Sequence, residues 1–268
     1  MADAAQVTQD KPLLELEKIN LTYESKTGNV NALEDINLRI HENEFVCVIG
    51  PSGCGKSSLL KLIAGFEKPS SGRILLEGEE IKGVDWHRGV VFQKDNLFEW
   101  LNVRSNIDYG LRMRGLGKAE IREKADEMLE RMGLADFAES RVYELSGGMR
   151  QRVSIGRTLI NDPEIILMDE PFSALDALTR EEMQDFLRSL WDGSRKTIFF
   201  ITHDIDEALV LGTRVVVMSK RPGRLISDMN VDYTREIVAN NNSRVDLSQD
   251  YFKARRKLFE LVAGLRGA

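Results

Sequence analysis

The chain has 268 residues, 42% of them hydrophobic, and a formal net charge of −6. That length suits one large domain or two small ones, and the apolar content excludes global disorder. The acidic balance argues against a protein that wraps nucleic acid, which needs a clustered basic face. The two cysteines, Cys47 and Cys54, have no CxxC or Cys/His spacing around them. They exclude a disulfide framework or a zinc site and fit a reducing, cytosolic compartment. The start, Met1 to Gln6, lacks a basic segment followed by an apolar one, so no secretory signal is expected. No apolar run reaches the ~18 residues of a membrane-crossing helix, so any action at a membrane must pass through another chain.

Residues 1–11 are small and polar and are expected to form a loose tail. Leu13 to Asn20 and Ala32 to Ile40 alternate apolar with polar residues, as half-buried antiparallel strands do. Glu44 to Ile49 is a short apolar run that reads as a buried strand, and Ser58 to Ala64 reads as a helix. Arg73 to Gly78 predicts a strand entering a turn. Gly89 to Gln93 predicts a buried strand with a polar end. From Val103 to Met132 the period becomes helical. Ile121, Ala125, Met128, Leu129 and Met132 make one stripe, and Gly115 and Gly117 break the region into at least two helices.

Met149 to Ile160 predicts another helix, stopped at Asn161-Asp162-Pro163. Three apolar runs come next: Glu164 to Met168, Lys196 to Thr202 and Arg214 to Ser219. The last leads into the turn Arg221-Pro222-Gly223-Arg224. Runs of this kind between helices predict a mostly parallel sheet, with chemistry at the carboxyl ends of its strands. A polar stretch, Ala239 to Ser243, precedes an amphipathic helix from about Ser248 to Leu265. His41 and His87 carry no motif and are expected at the surface.

Between the Glu44 run and the helix lies Gly50-Pro51-Ser52-Gly53-Cys54-Gly55-Lys56-Ser57, which fits G-x-x-x-x-G-K-[ST]. Glycines let backbone N–H groups close on phosphate oxygens, and the helix after the loop adds its N-terminal partial charge. Lys56 can meet the β/γ-phosphates and the Ser57 hydroxyl can ligate Mg²⁺. The run Ile165 to Met168 ends in Asp169-Glu170. Beside a phosphate loop, Asp169 is the expected Mg²⁺ carboxylate, and Glu170 stands where it can polarise water. Gln93 and His203 also come directly after strands, so these groups should meet in space.

Leu145-Ser146-Gly147-Gly148-Met149 is a second serine-glycine cradle at a helix start. With it the chain resembles the ATP-binding cassette (ABC) family, whose signature is L-S-G-G-Q; Met149 replaces the usual Gln. The resemblance covers about Leu13 to Met229. It implies an α/β fold: a P-loop NTPase core with a mostly parallel sheet, an N-terminal antiparallel β subdomain and an inserted α-helical subdomain. It implies one catalytic domain over residues 12–230, with its helical part at about 100–160, and a C-terminal extension over 231–268. It also implies two cassettes facing head to tail, so that Ser146, Gly147 and Gly148 of one complete the ATP site of the other.

The same resemblance assigns further roles. Tyr23 would stack on adenine, and the loop residues Gly50, Ser52, Gly53, Cys54, Gly55, Lys56, Ser57 and Ser58 would hold phosphates. Ser57, Gln93 and Asp169 would hold Mg²⁺; Gln93 would also sense a membrane partner. Asp176, in Ser173-Ala174-Leu175-Asp176, would communicate between the two sites. Glu170 and His203 would serve catalysis with Gln93 and Lys56. The plain alternatives are a strand tyrosine at position 23 and a satisfied structural histidine at 203.

With one cassette and no spans, the chain looks like a separate transporter ATPase on the cytoplasmic face of the membrane. Its partners would be a second copy, a transmembrane permease and, indirectly, a solute-binding protein. Asn96 to Leu101, Met218 to Arg224 and Asp176 to Arg180 resemble the nitrate/sulfonate/taurine importer group, although Glu99 departs from its Leu-Pro-Trp pattern. Competing readings are a soluble ABC ATPase acting on nucleic acid or ribosomes, the ATPase of an exporter, and a degenerate cassette. The last should have lost Lys56, Glu170 or His203. In the segment after Gln93, Phe98 and Trp100 are the better interface candidates, while Leu97 and Leu101 serve equally well as packing.

Overall fold

The computed structural model describes residues 11–24, 28–231, 233–239 and 249–267. The expected tail, apart from Lys11, and the polar stretch after Ala239 lie outside the described residues. β1 (Leu14–Tyr23) and β2 (Val30–Ile40) pair antiparallel, with Leu14 opposite Ile40, Leu16 opposite Leu38 and Ile19 opposite Ile36. A strict period of two would put Leu16 and Ile19 on opposite faces. An irregularity between them, with Lys18 at φ 50, returns both to the core.

β3 (Phe45–Ile49) leaves this sheet and runs into α1 (Lys56–Ala64). Gly65 closes α1 in the left-handed conformation at φ 80. The chain then returns through β4 (Ser71–Leu76) and β5 (Glu79–Glu80), so the first sheet has the order β2-β1-β4-β5.

The second sheet contains β3, β6 (Arg88–Val91), β7 (Ile165–Asp169), β8 (Thr197–Ile201), β9 (Arg214–Met218) and β10 (Leu225–Asn230). Its order is β10-β9-β3-β8-β7-β6, parallel throughout except for β10, which pairs antiparallel with β9. Apolar side chains cover both of its faces. Phe45, Cys47, Ile49, Ile166, Met168 and Phe200 enter one core, while Val46, Val48, Ile165, Leu167 and Phe199 enter the other. Burial on both faces explains why these strands read as continuous apolar runs instead of alternating ones. β6 departs from the buried strand expected. It lies at the sheet edge, and Gly89 and Val90 are only half-buried.

The helical region holds α2 (Val103–Ile107), α3 (Tyr109–Met113) and α4 (Lys118–Arg131), with α5 (Gly147–Leu159) after them. The stripe Ile121, Ala125, Met128, Leu129 and Met132 is buried as its spacing requires. An additional break falls at Asp108, whose buried carboxylate takes Arg112 Nη2 at 2.7 Å. α6 (Ala177–Ser194), α7 (Ile205–Leu211), α8 (Tyr233–Ala239) and α9 (Gln249–Gly267) complete the chain.

β10 and α8 carry no strong sequence signal. β10 is a half-exposed edge strand, and α8 buries only Thr234 and Ile237. The Thr234 hydroxyl lies 2.9 Å from Gly212 O and ties α8 to the end of α7. His41 and His87 are half-buried, not at the surface as expected. His87 Nδ1 lies 2.6 Å from Asp85 and its ring packs against Trp86.

Leu129 is 1% exposed at the centre of the helical-region core. Leu129→Ala removes buried methyls where α4 cannot collapse freely, so it should cost about 2–5 kcal/mol. Denaturant unfolding checks this; a loss below about 1 kcal/mol would show that α4 packs loosely.

Candidate nucleotide site

β3 ends at Ile49, and the next six residues turn back into α1. Gly53 (φ 74) and Gly55 (φ 106) take left-handed backbone that other residues rarely adopt. A Cβ on Gly55 would stand 2.7 Å from Leu33 Cδ2 and 3.0 Å from Ala32 O. α1 has no side-chain cap, so its first-turn N–H groups keep their capacity to bond an anion. Gly50, Ser52, Gly53, Gly55, Lys56, Ser57 and Ser58 line a cleft of about 430 Å³. Cys54 is the exception. Its side chain turns into the core, its N–H donates to Pro51 O at 3.3 Å, and burial pushes its thiol up.

Lys56 is 6% exposed, with Nζ donating to Gly50 O at 2.9 Å and to Pro51 O at 3.3 Å. The Ser57 hydroxyl donates to Asp169 Oδ1 at 3.1 Å, at the end of β7. Burial raises the Asp169 carboxyl from its ordinary value, and the Ser57 bond opposes that shift. Hydroxyl and carboxylate oxygens suit a hard divalent cation. Among the described residues no group of three or more His, Cys, Asp or Glu forms a metal site. A cation here must take its remaining ligands from phosphate and water, the usual manner of Mg²⁺. The residues present therefore fit Mg²⁺ bound together with a nucleotide.

Glu170 adopts φ 47, left-handed backbone at a non-glycine position, which costs on the order of 1–3 kcal/mol. Its N–H donates to Ile201 O at 3.0 Å, anchoring it to β8. Its Oε2 lies 3.1 Å from His203 Nδ1. Both side chains line the cleft. At the other end of the cleft, Tyr23 closes β1. Its hydroxyl donates to Glu67 Oε2 at 2.6 Å and lies 3.1 Å from Ser58 Oγ; burial and Glu67 push it up from the usual phenol range.

Gln93 does not reach the cleft wall. Its Nε2 donates to Ser173 Oγ at 3.2 Å, and the Ser173 hydroxyl donates to Glu170 O at 2.9 Å. Gln93 is thereby joined to Glu170 through a serine, not to Ser57 or Asp169 directly.

Ser146, Gly147, Gly148 and Asp176 also lie outside the cleft and form a unit of their own. Ser146 Oγ accepts from Met149 N at 3.3 Å and caps α5. Asp176 Oδ1 accepts from Thr179 N at 3.1 Å and caps α6, which holds its carboxyl below the usual range. A Cβ on Gly148 would meet Thr179 Cγ2 at 2.8 Å, so the two helix starts pack against each other.

The cleft has walls that sequence reasoning missed: Ala32, Ile205, Arg221 and Val262. Ile205 lies two positions after His203, and Arg221 stands in a turn singled out for its composition. Val262 has no local signal. It arrives on α9, which docks on α7 through Asp206. Arg255 Nε (2.6 Å), Arg255 Nη2 (3.0 Å) and the Tyr251 hydroxyl (2.7 Å) converge there, and the arginine holds the Asp206 carboxyl below its usual range.

Residues 33–173 match the family model described as ABC transporter. A taurine import ATP-binding protein of Ruegeria pomeroyi is 43% identical over 250 residues, 93% of each chain. Its counterpart in Pseudomonas aeruginosa is 44% identical over 92% of this chain and 94% of its own length. An uncharacterized ABC transporter ATP-binding protein of Methanocaldococcus jannaschii is 44% identical over 94% of this chain and 92% of its own. Among solved structures, cbiO1 from Clostridium perfringens superposes with a TM-score of 0.75 at 30% identity, covering 90% of this chain and 97% of that one. A dimeric ATP-binding cassette in a post-hydrolysis state, bound to ADP and Pi, superposes with a TM-score of 0.71 at 33% identity, covering 81% and 98%. The fold expected from the motifs is the fold of these cassettes.

Gly55→Ala strains a left-handed residue and drives a methyl into Leu33 and the Ala32 carbonyl. It should weaken nucleotide binding by about tenfold or more, a loss near 1.4 kcal/mol. Calorimetric titration with ATP reads this, and parental affinity would show that the loop adapts without cost.

Proposed function

The chain belongs to the ABC transporter family, and from that membership we propose that it is the ATP-hydrolysing subunit of an importer for taurine or a similar small sulfonate. The observation that carries this reading is the meeting, at one cleft, of the glycine loop, Lys56, Ser57 and the Glu170–His203 pair, with Asp169 bonded to Ser57 beside it. Phosphoryl transfer to water needs little covalent help from the protein; it needs positioning and charge. The loop N–H groups and Lys56 hold the phosphates. Mg²⁺, when bound, neutralises charge on the transferring phosphoryl, and Ser57 and Asp169 are the groups to hold it. Glu170 orients the attacking water and takes its proton at the carboxylate, while His203 fixes that carboxylate through Nδ1. Tyr23 supplies the face for adenine.

Ser146, Gly147, Gly148 and Asp176 stand outside the cleft of their own chain, so they serve the cleft of a second copy arranged head to tail. The dimeric state of a cassette relative supports this arrangement. Residues 12–230 form the catalytic domain, with the helical subdomain at about 100–160, and residues 231–268 form an extension.

A separate permease supplies the pathway, with a solute-binding protein acting through it, and no nucleic acid takes part. Among the described residues no helix is long and apolar enough to cross a membrane. The chain would therefore sit peripherally, on the cytoplasmic face. Trp100 is 72% exposed and packs against Phe98, with ring centroids 5.3 Å apart. Leu97 turns inward and Leu101 is half-buried. The buried Asn106 side chain accepts from Phe98 N at 2.8 Å and donates to Phe98 O at 3.1 Å, so the segment is rigid. A fixed, exposed Trp100 backed by the half-buried Phe98 suits docking of a permease segment.

Glu170→Gln should bind ATP with near-parental affinity and lower turnover by about a hundredfold or more. Hydrolysis at close to the parental rate would refute the assignment of Glu170 as base. Trp100→Ala should leave the melting temperature and ATP binding unchanged while weakening capture of the permease. If the melting temperature falls sharply and the folded protein still captures the permease normally, Trp100 is a packing residue.

A further inference from the structure

The turn joining β9 to β10, residues 219–224, has no part in the chemistry above, yet it packs directly against the phosphate loop. A Cβ on Gly223 would fall 2.2 Å from Cys54 O, so the two backbones are in contact. Gly223 N donates to Ala32 O at 2.9 Å, and Glu34 N donates to Gly223 O at 3.0 Å. Inside the turn, Ser219 N donates to Arg224 O at 2.9 Å, and Ser219 Oγ accepts from Arg224 N at 2.9 Å. Arg224 reaches back to pair with Glu34. Tied at both ends and across its middle, the turn has little freedom to move.

This rigid turn presents Arg221 to the cleft, on the wall it shares with Gly50, Gly53 and Lys56. Arg221 Nη2 donates to Gly53 O at 3.2 Å. That bond uses one of five guanidinium N–H donors. No carboxylate among the described residues pairs with Arg221, whereas Arg214 at the start of β9 and Arg224 in the same turn are both paired with acids. A guanidinium is charged at every working pH, and its planar fork matches a phosphate better than an ammonium does. Set beside glycine-rich backbone that cradles anions, it has donors to spare and no anionic partner among the described residues.

We propose that Arg221 is a nucleotide-phosphate ligand of this site, a second cation beside Lys56 delivered by the β9–β10 turn. The proposal rests on the reading of the cleft as the nucleotide site. The competing account is a clip, in which Arg221 only steadies Gly53 and never meets the ligand.

The full-length chain carrying Glu170→Gln, titrated calorimetrically with ATP and ADP, separates the two. Arg221→Ala should weaken both nucleotides by about five- to tenfold, a loss below that of a buried charged hydrogen bond because Arg221 is exposed. Arg221→Gln keeps a donor for Gly53 O but no charge, and should bind as poorly as Arg221→Ala. Arg221→Lys should recover part of the affinity. Full recovery by Arg221→Gln would overturn the proposal in favour of the clip. So would parental affinity in Arg221→Ala with a lowered melting temperature. Lys56→Ala is the control for the site itself. If it abolishes binding while the Arg221 variants bind as the parent, only the Arg221 proposal fails. If Lys56→Ala also binds normally, the cleft is not the nucleotide site and both readings fall.

Discussion

The register between β3, β7 and β8 is the constraint on which the rest depends. Val48 lies opposite Ile201, and Ile201 lies opposite Asp169, so three strands end in one row. The segments leaving these strands must therefore meet: the glycine loop after Ile49, Glu170 after Asp169, and His203 after Thr202. The Ser57–Asp169 and Glu170–His203 contacts are the visible result. A slip by one residue would turn every strand side chain to the opposite face. Because both faces are buried against separate cores, such a slip would bury nothing correctly, and the register is strongly specified.

The burial that sets the register also limits where polar groups can stand. Glu207 is 6% exposed below the start of α7, where burial raises its carboxyl. It survives there because Gln184 Nε2 donates to it at 3.1 Å and the Thr202 hydroxyl donates to its other oxygen. Thr202 directly precedes His203, so this buried group fixes the backbone from which the histidine projects. Ser173 does similar work on the other side, linking the Gln93 amide to the Glu170 carbonyl. The cleft is thus steadied by bonds made beside Glu170 and His203, in addition to the contact these two side chains make with each other.

Around this centre the molecule places surfaces that its own cleft does not use. The serine-glycine start of α5 and the Asp176 cap of α6 pack together away from the phosphate loop. The segment bearing Trp100 is held by Asn106 against the helical region. Both are anchored in the large core, so a second copy or a permease docking on them would act on the same packed body that carries Glu170. α9 reaches the cleft from a different direction, through its clamp on Asp206 only three residues beyond His203.

The sequence by itself determined the groups whose chemistry is local. The spacing of Gly50 to Ser57, the apolar run before Asp169-Glu170 and the stripe from Ile121 to Met132 are short-range patterns. Glycine conformation, strand burial and helix period impose them directly. Tertiary structure decided what depends on distant partners. Cys54 sits within the loop motif but turns inward, because the core beneath the loop takes its side chain. Gln93 stands just past a strand yet bonds Ser173, because β6 lies at the sheet edge. β10 and α8 gain their shape from neighbours already folded and show little pattern of their own. Arg221 and Val262 entered the cleft from far along the chain. Their place was set by how a turn and a terminal helix pack on the loop and on α7. Those contacts join residues so distant in sequence that no periodicity or motif could encode them.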